Sequence, residues 1–224
     1  MPAEQPDISS NCSRTLIDQL LLLIDILNSN SNRNDSPYIK YSVVPAIIDW
    51  IDTDDKVVAL PFIKNDNLGA ESAYYNSLNE SYDCRNAPLD TVADIALVKA
   101  MTPQIFNRLS NLVTVYGDGK ININSASQQT IQSLSHHIDR AMARMIVDRR
   151  EFKPFESFDE IRTLPAITDT IYRTIRDRTV ITSANQYYRI NSKVNLDEIN
   201  TEITAVIRKN NDTRTIDIIM YQEL

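Results

Sequence analysis

The chain has 224 residues, of which 42% are hydrophobic and 24% are charged, a composition typical of a folded globular protein. Its formal net charge of −7 argues against nucleic acid as a partner, because phosphate repels an acidic chain that lacks a compensating basic patch. The three glycines argue against Rossmann and P-loop phosphate sites, whose loops require glycine.

The first helix is predicted over residues 14–27, after a polar segment at residues 1–13 that is expected to be extended. Leucines at helical spacing form its core-facing stripe: Leu16, Leu20, Leu23 and Leu27. This stretch is too short to span a membrane, which takes roughly 18 apolar residues, and Asp18 and Asp25 interrupt it. It is therefore predicted to be a buried amphipathic helix, and no signal peptide is visible.

A second helix is predicted from Val43 to Ile51, starting near Pro45. Its apolar side chains would pack inward, and the single tryptophan, Trp50, is expected in the core. The two cysteines, Cys12 and Cys84, are too few for a metal cluster. They could form one disulfide in an oxidising compartment or remain free thiols, and the sequence leaves both open.

Acidic residues cluster at the end of this second helix and in the loop that follows: Asp49, Asp52, Asp54, Asp55, Asp66 and Glu71. Like charges at this density repel one another, and the negative end of the helix dipole adds to the cost. A bound cation would relieve both penalties, and several carboxylate oxygens suit Ca²⁺. The pattern is not an EF-hand, because Lys56 stands where a third ligand is needed. A solvated acidic loop explains the same composition, so the residues alone leave both interpretations open.

The stretch from Lys120 to Ile167 is predicted to form a helix-hairpin-helix unit of SAM-like type. Asn124 or Ser125 can cap its first helix, because their side-chain oxygens accept the unpaired N–H groups of the first turn. The side chains predicted to point inward are Ile131, Leu134, Ala141, Met145, Ile146, Ile161 and Leu164. Pro154 is expected to end the second helix, and Ser157 with Glu160 has the spacing of a capping box for the third.

This unit also occurs in DNA-binding proteins, which makes a DNA-binding module the alternative function. DNA binding would be carried by four arginines: Arg140, Arg144, Arg149 and Arg150. The last three are predicted to lie on the outer side of the second helix. DNA-binding hairpins use a glycine-rich turn so that backbone N–H groups can approach phosphate. The turn here, Ser135–Asp139, has no glycine and adds an acid. A helical packing unit therefore explains the stretch better than DNA binding does.

The pattern changes from helical to alternating in the C-terminal part of the chain. A helix over 168–177 with Ile171 and Ile175 inward is followed by strands predicted at 180–181, 187–194, 203–209 and 214–221. Asn210–Asp212 would form a hairpin turn, since Asn and Asp tolerate positive φ. The predicted fold class is therefore α+β, with a helical domain and a C-terminal antiparallel sheet.

Three runs of sequence resemble minor pseudopilin K of type II secretion systems. Residues 46–55 read AIIDWIDTDD, residues 68–78 read LGAESAYYNSL, and residues 82–106 begin YDCRNAPL. They match the family's DWxDxD, GAExxYY and Y-x-x-x-N-x-P-L runs in the same order. Residues 121–126, ININSA, match the INxNTA start of its helix-hairpin-helix unit, and the resemblance covers roughly residues 7–190.

The sequence departs from the family pattern at three positions. Ser72 stands where the family commonly has an acid, which puts one metal ligand in doubt. Ala100 replaces a glycine and Ser125 replaces a threonine, and both changes are expected to be conservative for packing.

The resemblance implies a fold and a metal. A helical domain at 14–178 would be inserted into a pilin-type domain made of residues 1–13 and the sheet at 179–224. Calcium in the helical domain would be held by Asp49, Asp52, Asp54 and Glu71, with Asp55 and Asp66 as further candidates.

The resemblance also implies a role in assembly without enzymatic activity. A minor pseudopilin K would sit at the tip of the pseudopilus with minor pseudopilins I and J, and with other pseudopilins, and would cap the fibre during export of folded proteins. It would be the periplasmic domain of a bacterial inner-membrane protein, and the family's apolar anchor helix is missing from this sequence, which suggests a fragment. A calcium-dependent hydrolase is the third hypothesis, because paired acids can also serve a glycosidase.

Overall fold

The structure, a computed structural model, describes residues 11–30, 37–182, 186–196, 199–210 and 213–223. The predicted extended segment at residues 1–10 and the turn at residues 211–212 lie outside these ranges. The helices are α1 (Asn11–Ser29), α2 (Val43–Ile51), α3 (Ser72–Tyr75), α4 (Pro103–Leu109), α5 (Gln128–Gln132), α6 (Arg140–Phe152) and α7 (Asp169–Arg176). The strands are β1 (Ile121–Asn122), β2 (Thr179–Val180), β3 (Tyr187–Leu196), β4 (Ile199–Asn210) and β5 (Thr215–Glu223).

Helix α1 begins at Asn11, three residues before the predicted start, so residues 11–13 are helical rather than extended. Its buried face carries Ile17 and Ile24 together with Leu23 and Leu27, and packs on α2 and α4. The prediction that Leu16 belongs to this face was wrong, because the isoleucines take the inward positions and leave Leu16 44% exposed. Among the described residues, no helix has the length and apolar character needed to cross a membrane.

Helices α5, α6 and α7 surround the second core, in which Ile131 and Leu134 are fully buried as predicted. Helix α6 turns Ala143 and Ile146 inward, whereas Ala141 is exposed, contrary to the prediction. Ala143 precedes Ile146 by three residues and shares its buried face, whereas Ala141 lies about 140° around the helix axis from Ile146 and cannot share that face. Asp139 caps the start of the helix by accepting a hydrogen bond from the Met142 N–H.

The N-cap of α5 is Ser127, which accepts the Thr130 N–H, and not Asn124 or Ser125 as predicted. Asn124 is used elsewhere: its Oδ1 accepts the Phe155 N–H at 2.9 Å, and its Nδ2 donates to the Phe155 carbonyl oxygen at 2.9 Å. Asn124 therefore ties the start of the unit to the segment after α6.

The capping box predicted at Ser157 and Glu160 is confirmed, although the helix that it opens is a 3₁₀ helix over Phe158–Thr163. A second capping box, from Thr91 to Asp94, opens another 3₁₀ helix over Val92–Leu97. The backbone N–H groups of Thr91 and Ser157 donate to the acids at 3.0 and 3.3 Å. Both pairs therefore provide acceptors for backbone N–H groups that would otherwise be unpaired at the start of a helix.

Each 3₁₀ helix leads to an alanine with positive φ and then to a threonine that caps an α-helix. Ala100 has φ +65° and precedes Thr102, which caps α4, and Ala166 has φ +68° and precedes Thr168, which caps α7. An L-residue is strained in this region and glycine is not. Alanine at position 100 was expected to be conservative for packing, and the positive φ adds a backbone strain that this expectation did not address.

The described residues also form two separate sheets. Strands β1 and β2 pair in parallel, with Ile121 opposite Thr179, and β3, β4 and β5 form an antiparallel sheet with β4 in the centre. The sheet contacts the helical part through Val206, which is 3% exposed, and through Tyr187, whose ring stacks on Tyr116 at 5.8 Å. The predicted α+β class with a C-terminal antiparallel sheet is confirmed, and the division into domains stays a prediction.

Candidate metal centre

The centre forms where the end of α2 meets a loop that folds back on it. Asp49 lies in the last turn of α2, and Asp52 is its C-cap, with its N–H bonded to the Ile48 carbonyl oxygen at 2.9 Å. The loop then returns through a backbone bond from the Gly69 N–H to the Val58 carbonyl oxygen at 3.0 Å. This return brings Glu71 to the helix end.

One carboxylate oxygen from each of Asp49, Asp52 and Glu71 lies within 4.8 Å of the others. These acids are 0%, 8% and 2% exposed. Asp49 Oδ1 accepts the Val58 N–H at 2.9 Å, but Asp49 Oδ2, Asp52 Oδ1 and both Glu71 oxygens have no hydrogen-bond partner. Buried carboxylate oxygens without partners are costly, so the arrangement favours a positive charge between them.

Burial and mutual repulsion raise the pKa values of these acids. Burial raises the pKa of Asp49 to about 6, although the Val58 N–H opposes the shift, and the charge of Asp52 adds to it. Burial raises the pKa of Glu71 to about 7, with further contributions from Asp49 and Asp52. Burial and Asp54 raise the pKa of Asp52. A divalent cation would oppose all three shifts by stabilising the charged forms.

Gly69 allows the loop to approach Asp49. A Cβ at this position would lie 2.1 Å from Asp49 Oδ2 and 2.7 Å from the Pro45 carbonyl oxygen. No side chain can occupy that space, so a glycine is required for the loop to bring Glu71 against α2. Sequence reasoning identified the GAE run as a whole but not this steric role.

The other three predicted ligands lie outside this group of three. Asp54 Oδ1 accepts the Lys56 N–H at 2.8 Å, and Asp55 Oδ1 accepts a bond from Asn86 Nδ2 at 3.4 Å. Asp66 is exposed in a turn, with φ +54°. The structure thus brings together three of the six acids that the sequence proposed.

The wall of the site is aromatic on one side and contains a thiol. Trp50 is 3% exposed, as predicted, and its ring meets Tyr75 edge-on at 4.9 Å. Cys84 is a free, buried cysteine that donates to the Asp49 carbonyl oxygen at 3.5 Å, and burial raises its pKa to about 11. The side chain of Cys12 lies outside the described residues.

These residues fit a hard divalent cation. Carboxylate oxygens are the ligands that Ca²⁺ prefers, and the three acids present oxygens that nothing else in the described chain satisfies. A bound cation would supply charge neutralisation and a cross-link. The protein would contribute Asp49 and Asp52 from α2 and Glu71 from the returning loop.

The arginines proposed for DNA binding are mostly engaged within the protein. Arg149 Nη2 lies 3.0 Å from Glu160 Oε2, and Arg150 donates to the Ile123 carbonyl oxygen. Arg144 is paired with Asp148 at 3.6 Å on the exposed face. The prediction that Arg149 and Arg150 lie on the outer side was wrong, because both are only partly exposed and bind neighbouring segments.

Two family models match consecutive parts of the chain. Both describe protein K of the type II secretion system (T2SS), one over residues 13–118 and the other over residues 121–180. The chain belongs to the type II secretion system protein K family. The resemblance drawn from residues 46–106 is thereby confirmed, and the candidate metal centre lies within the first matched region.

A solved structure shares the fold of this chain. It is a chain in the crystal structure of the GspK–GspI–GspJ complex from the enterotoxigenic Escherichia coli type 2 secretion system, with a TM-score of 0.68 and 20% sequence identity. The match covers 93% of this chain and 69% of that chain. No curated protein sequence matches the chain.

Proposed function

We propose that this chain works as a minor pseudopilin that assembles with minor pseudopilins I and J and with other pseudopilins in the type II secretion pseudopilus. The observation that carries this proposal is one face of the antiparallel sheet. Paired residues of neighbouring strands share a face. Tyr188 pairs with Ile207, which pairs with Ile218, and Ile190 pairs with Ala205, which pairs with Tyr221.

This face, which we call the apolar sheet face, is largely open to solvent. Its apolar members on the edge strands are Tyr188, Ile190, Val194, Ile216, Ile218 and Tyr221, and Ser192 and Glu223 are polar members of the same face. Ile218 is 69% exposed, Ile216 is 65% exposed and Tyr221 is 58% exposed. A contiguous apolar surface of this kind is typical of an interface. The similar structure was solved as part of a GspK–GspI–GspJ complex, which also supports a role in assembly.

The opposite face of the sheet has a different character. It carries Val206, which is buried, and polar residues such as Arg189 and Arg208, the last paired with Asp217 at 2.9 Å. This polar face is the one that meets the helical part through Tyr187. The apolar sheet face is therefore the surface left for another polypeptide, and an apolar pilin helix is the partner whose chemistry fits it, in a pilin-type arrangement.

The position at the fibre tip follows from the shape of such an assembly. Pilin subunits associate head to tail, and a head-to-tail interface propagates unless one end cannot accept the next subunit. The helical part, including the helix-hairpin-helix-like unit acting as a packing module, is the bulk that would block further addition. We place the chain in the periplasm, as the domain of an inner-membrane protein, capping the fibre during export of folded proteins.

Calcium would brace this helical part rather than perform chemistry. The support is the group of buried, unpartnered oxygens on Asp49, Asp52 and Glu71. Because these acids are 8% exposed or less, a substrate could not reach them without opening the fold. This burial favours a structural cation over a hydrolase, and we propose that the protein is not an enzyme.

The interface proposal is tested by placing a charge on the apolar sheet face. Ile218→Asp should leave the fold intact, because the side chain is 69% exposed, but should abolish capture of minor pseudopilins I and J from the same secretion system. Phe152→Asp is the matched control, since Phe152 is 90% exposed on α6, away from the sheet. Equal capture by the wild type and by Ile218→Asp would reject the apolar sheet face as the interface.

A further inference from the structure

Lys99 contacts the loop that carries Glu71 at four residues. Its ammonium group donates to the Gly69 carbonyl oxygen at 2.9 Å and to the Leu68 carbonyl oxygen at 3.4 Å. The same group lies over the Tyr74 ring, 5.1 Å from its centroid. The backbone N–H of Lys99 donates to Tyr75 Oη at 3.2 Å. One residue from a distant part of the chain thus binds the loop on both sides of Glu71.

These contacts matter because the Glu71 carboxylate has no hydrogen bond to hold it. Both of its oxygens lack a partner, so its position depends on the backbone around it. On its N-terminal side, the Gly69 carbonyl oxygen accepts a hydrogen bond from the Lys99 ammonium, and Asp49 Oδ2 and the Pro45 carbonyl oxygen fill the space of a Cβ. On its C-terminal side, Tyr75 is fully buried and is bound by the Lys99 N–H. Lys99 is itself held near α2, because the preceding residue, Val98, packs in one core with Ala46 and Trp50 of α2. Its contacts therefore tie the loop to the helix whose end carries the other two acids.

We propose that Lys99 is a positioning residue for the calcium site, an inference that rests on the function proposed above. By holding the loop, Lys99 keeps Glu71 close enough to Asp49 and Asp52 for the three carboxylates to bind one cation. Partners that orient ligands without touching the metal commonly change metal affinity by about 10- to 100-fold. Lys99 acts through the loop backbone, so the lower end of this range is expected. Its charge alone would act in the opposite sense, because a nearby ammonium repels Ca²⁺. Loss of Lys99 should therefore weaken Ca²⁺ binding if the residue positions Glu71, and should strengthen Ca²⁺ binding if only its charge matters.

The test measures Ca²⁺ affinity by isothermal titration calorimetry on the chelator-treated full chain. Lys99→Met should weaken Ca²⁺ binding about tenfold, and Lys99→Arg, which keeps the charge and the N–H donors, should bind within about twofold of the wild type. Lys64→Met is the matched control, because Lys64 is an exposed lysine in the same loop region and its loss removes a positive charge without these contacts. It should bind Ca²⁺ as the wild type does or slightly more tightly.

Each outcome decides between the roles. Unchanged or tighter binding by Lys99→Met would overturn the positioning role while leaving the calcium site in place. A merely structural role would lower the melting temperature of the metal-free protein without changing the Ca²⁺ affinity, and that result would also overturn it. Should Lys99→Met not fold, Lys99→Gln, which keeps an N–H donor, is measured by the same criteria. No Ca²⁺ binding by the wild type would refute the site itself and this role with it.

Discussion

Replacing Glu71 by glutamine should stabilise the metal-free protein at high pH and remove its response to calcium. Burial raises the pKa of Glu71 from 4.5 to about 7. Between these two values the folded state holds a proton that the unfolded state has released, so the cost of ionising Glu71 grows as the pH rises and is complete above pH 7. A shift of this size corresponds to about 3 kcal/mol. Glutamine has nearly the same shape and no charge, so it escapes this cost.

The same structure indicates that the amide is tolerated. Neither Glu71 oxygen accepts a hydrogen bond that the substitution would break, and carboxylate oxygens of Asp49 and Asp52 within 4.8 Å would attract an amide NH₂ group instead of repelling it. For a chain of this length, about 3 kcal/mol corresponds to a rise in melting temperature of roughly 6–12 °C. The gain should be present at pH 8 and absent at pH 4, where Glu71 is protonated in both the folded and the unfolded state.

Thermal unfolding with chelator and with millimolar Ca²⁺, at both pH values, measures these effects. The wild type should gain about 2.7 kcal/mol at pH 8 when Ca²⁺ is at about 100 times its dissociation constant, and Glu71→Gln should gain little. Glu80→Gln, at an exposed position outside the group, is the control and should behave as the wild type. A Glu71→Gln protein that is less stable than the wild type at pH 8 without metal would refute the reasoning, because the carboxylate would then be stabilising.

Three further substitutions, two of them paired with a control substitution, test separate features of the fold and the site by thermal unfolding. Asp52→Ala should remove the stabilisation by Ca²⁺, whereas Asp66→Ala should leave it, because only Asp52 belongs to the buried group; equal losses would contradict the assignment. Gly69→Ala should destabilise the protein by about 2 kcal/mol or more, since its Cβ would lie 2.1 Å from Asp49 Oδ2, and unchanged stability would mean that the loop can move. Ala100→Gly should stabilise the protein by about 1 kcal/mol by relieving the positive φ, whereas Ala141→Gly, in an exposed helical position, should destabilise it by a similar amount.

Apolar spacing and capping patterns predicted the elements well where neighbouring residues determine the structure. Helix α2 has the predicted bounds, Val43–Ile51, and the capping box from Ser157 to Glu160 forms as its spacing indicates. A period of 3.6 does not fix the absolute rotation of a helix, however. The inward residue of α6 is Ala143 rather than Ala141, because the face that Ala143 shares with Ile146 packs in the second core and this packing fixes the rotation.

The features that the sequence did not predict depend on contacts between segments that are distant in the chain. Asn124 is a good helix cap in isolation, but its side chain binds the Phe155 backbone instead. Motif order placed Asp49 and Glu71 in one candidate site, yet the role of Lys99 depends on a contact that only the folded chain makes. Alternation along the C-terminal strands predicted a sheet, and only the pairing register showed that one face stays apolar and open.

The central claim is that the chain is a pseudopilin that assembles through its apolar sheet face. Sedimentation velocity on an equimolar mixture with the periplasmic parts of minor pseudopilins I and J from the same secretion system tests it most directly. We expect a single species containing one copy of each protein, and we expect that Ile218→Asp leaves the chain sedimenting alone while Phe152→Asp does not. A wild-type chain that sediments alone at micromolar concentration would contradict this claim.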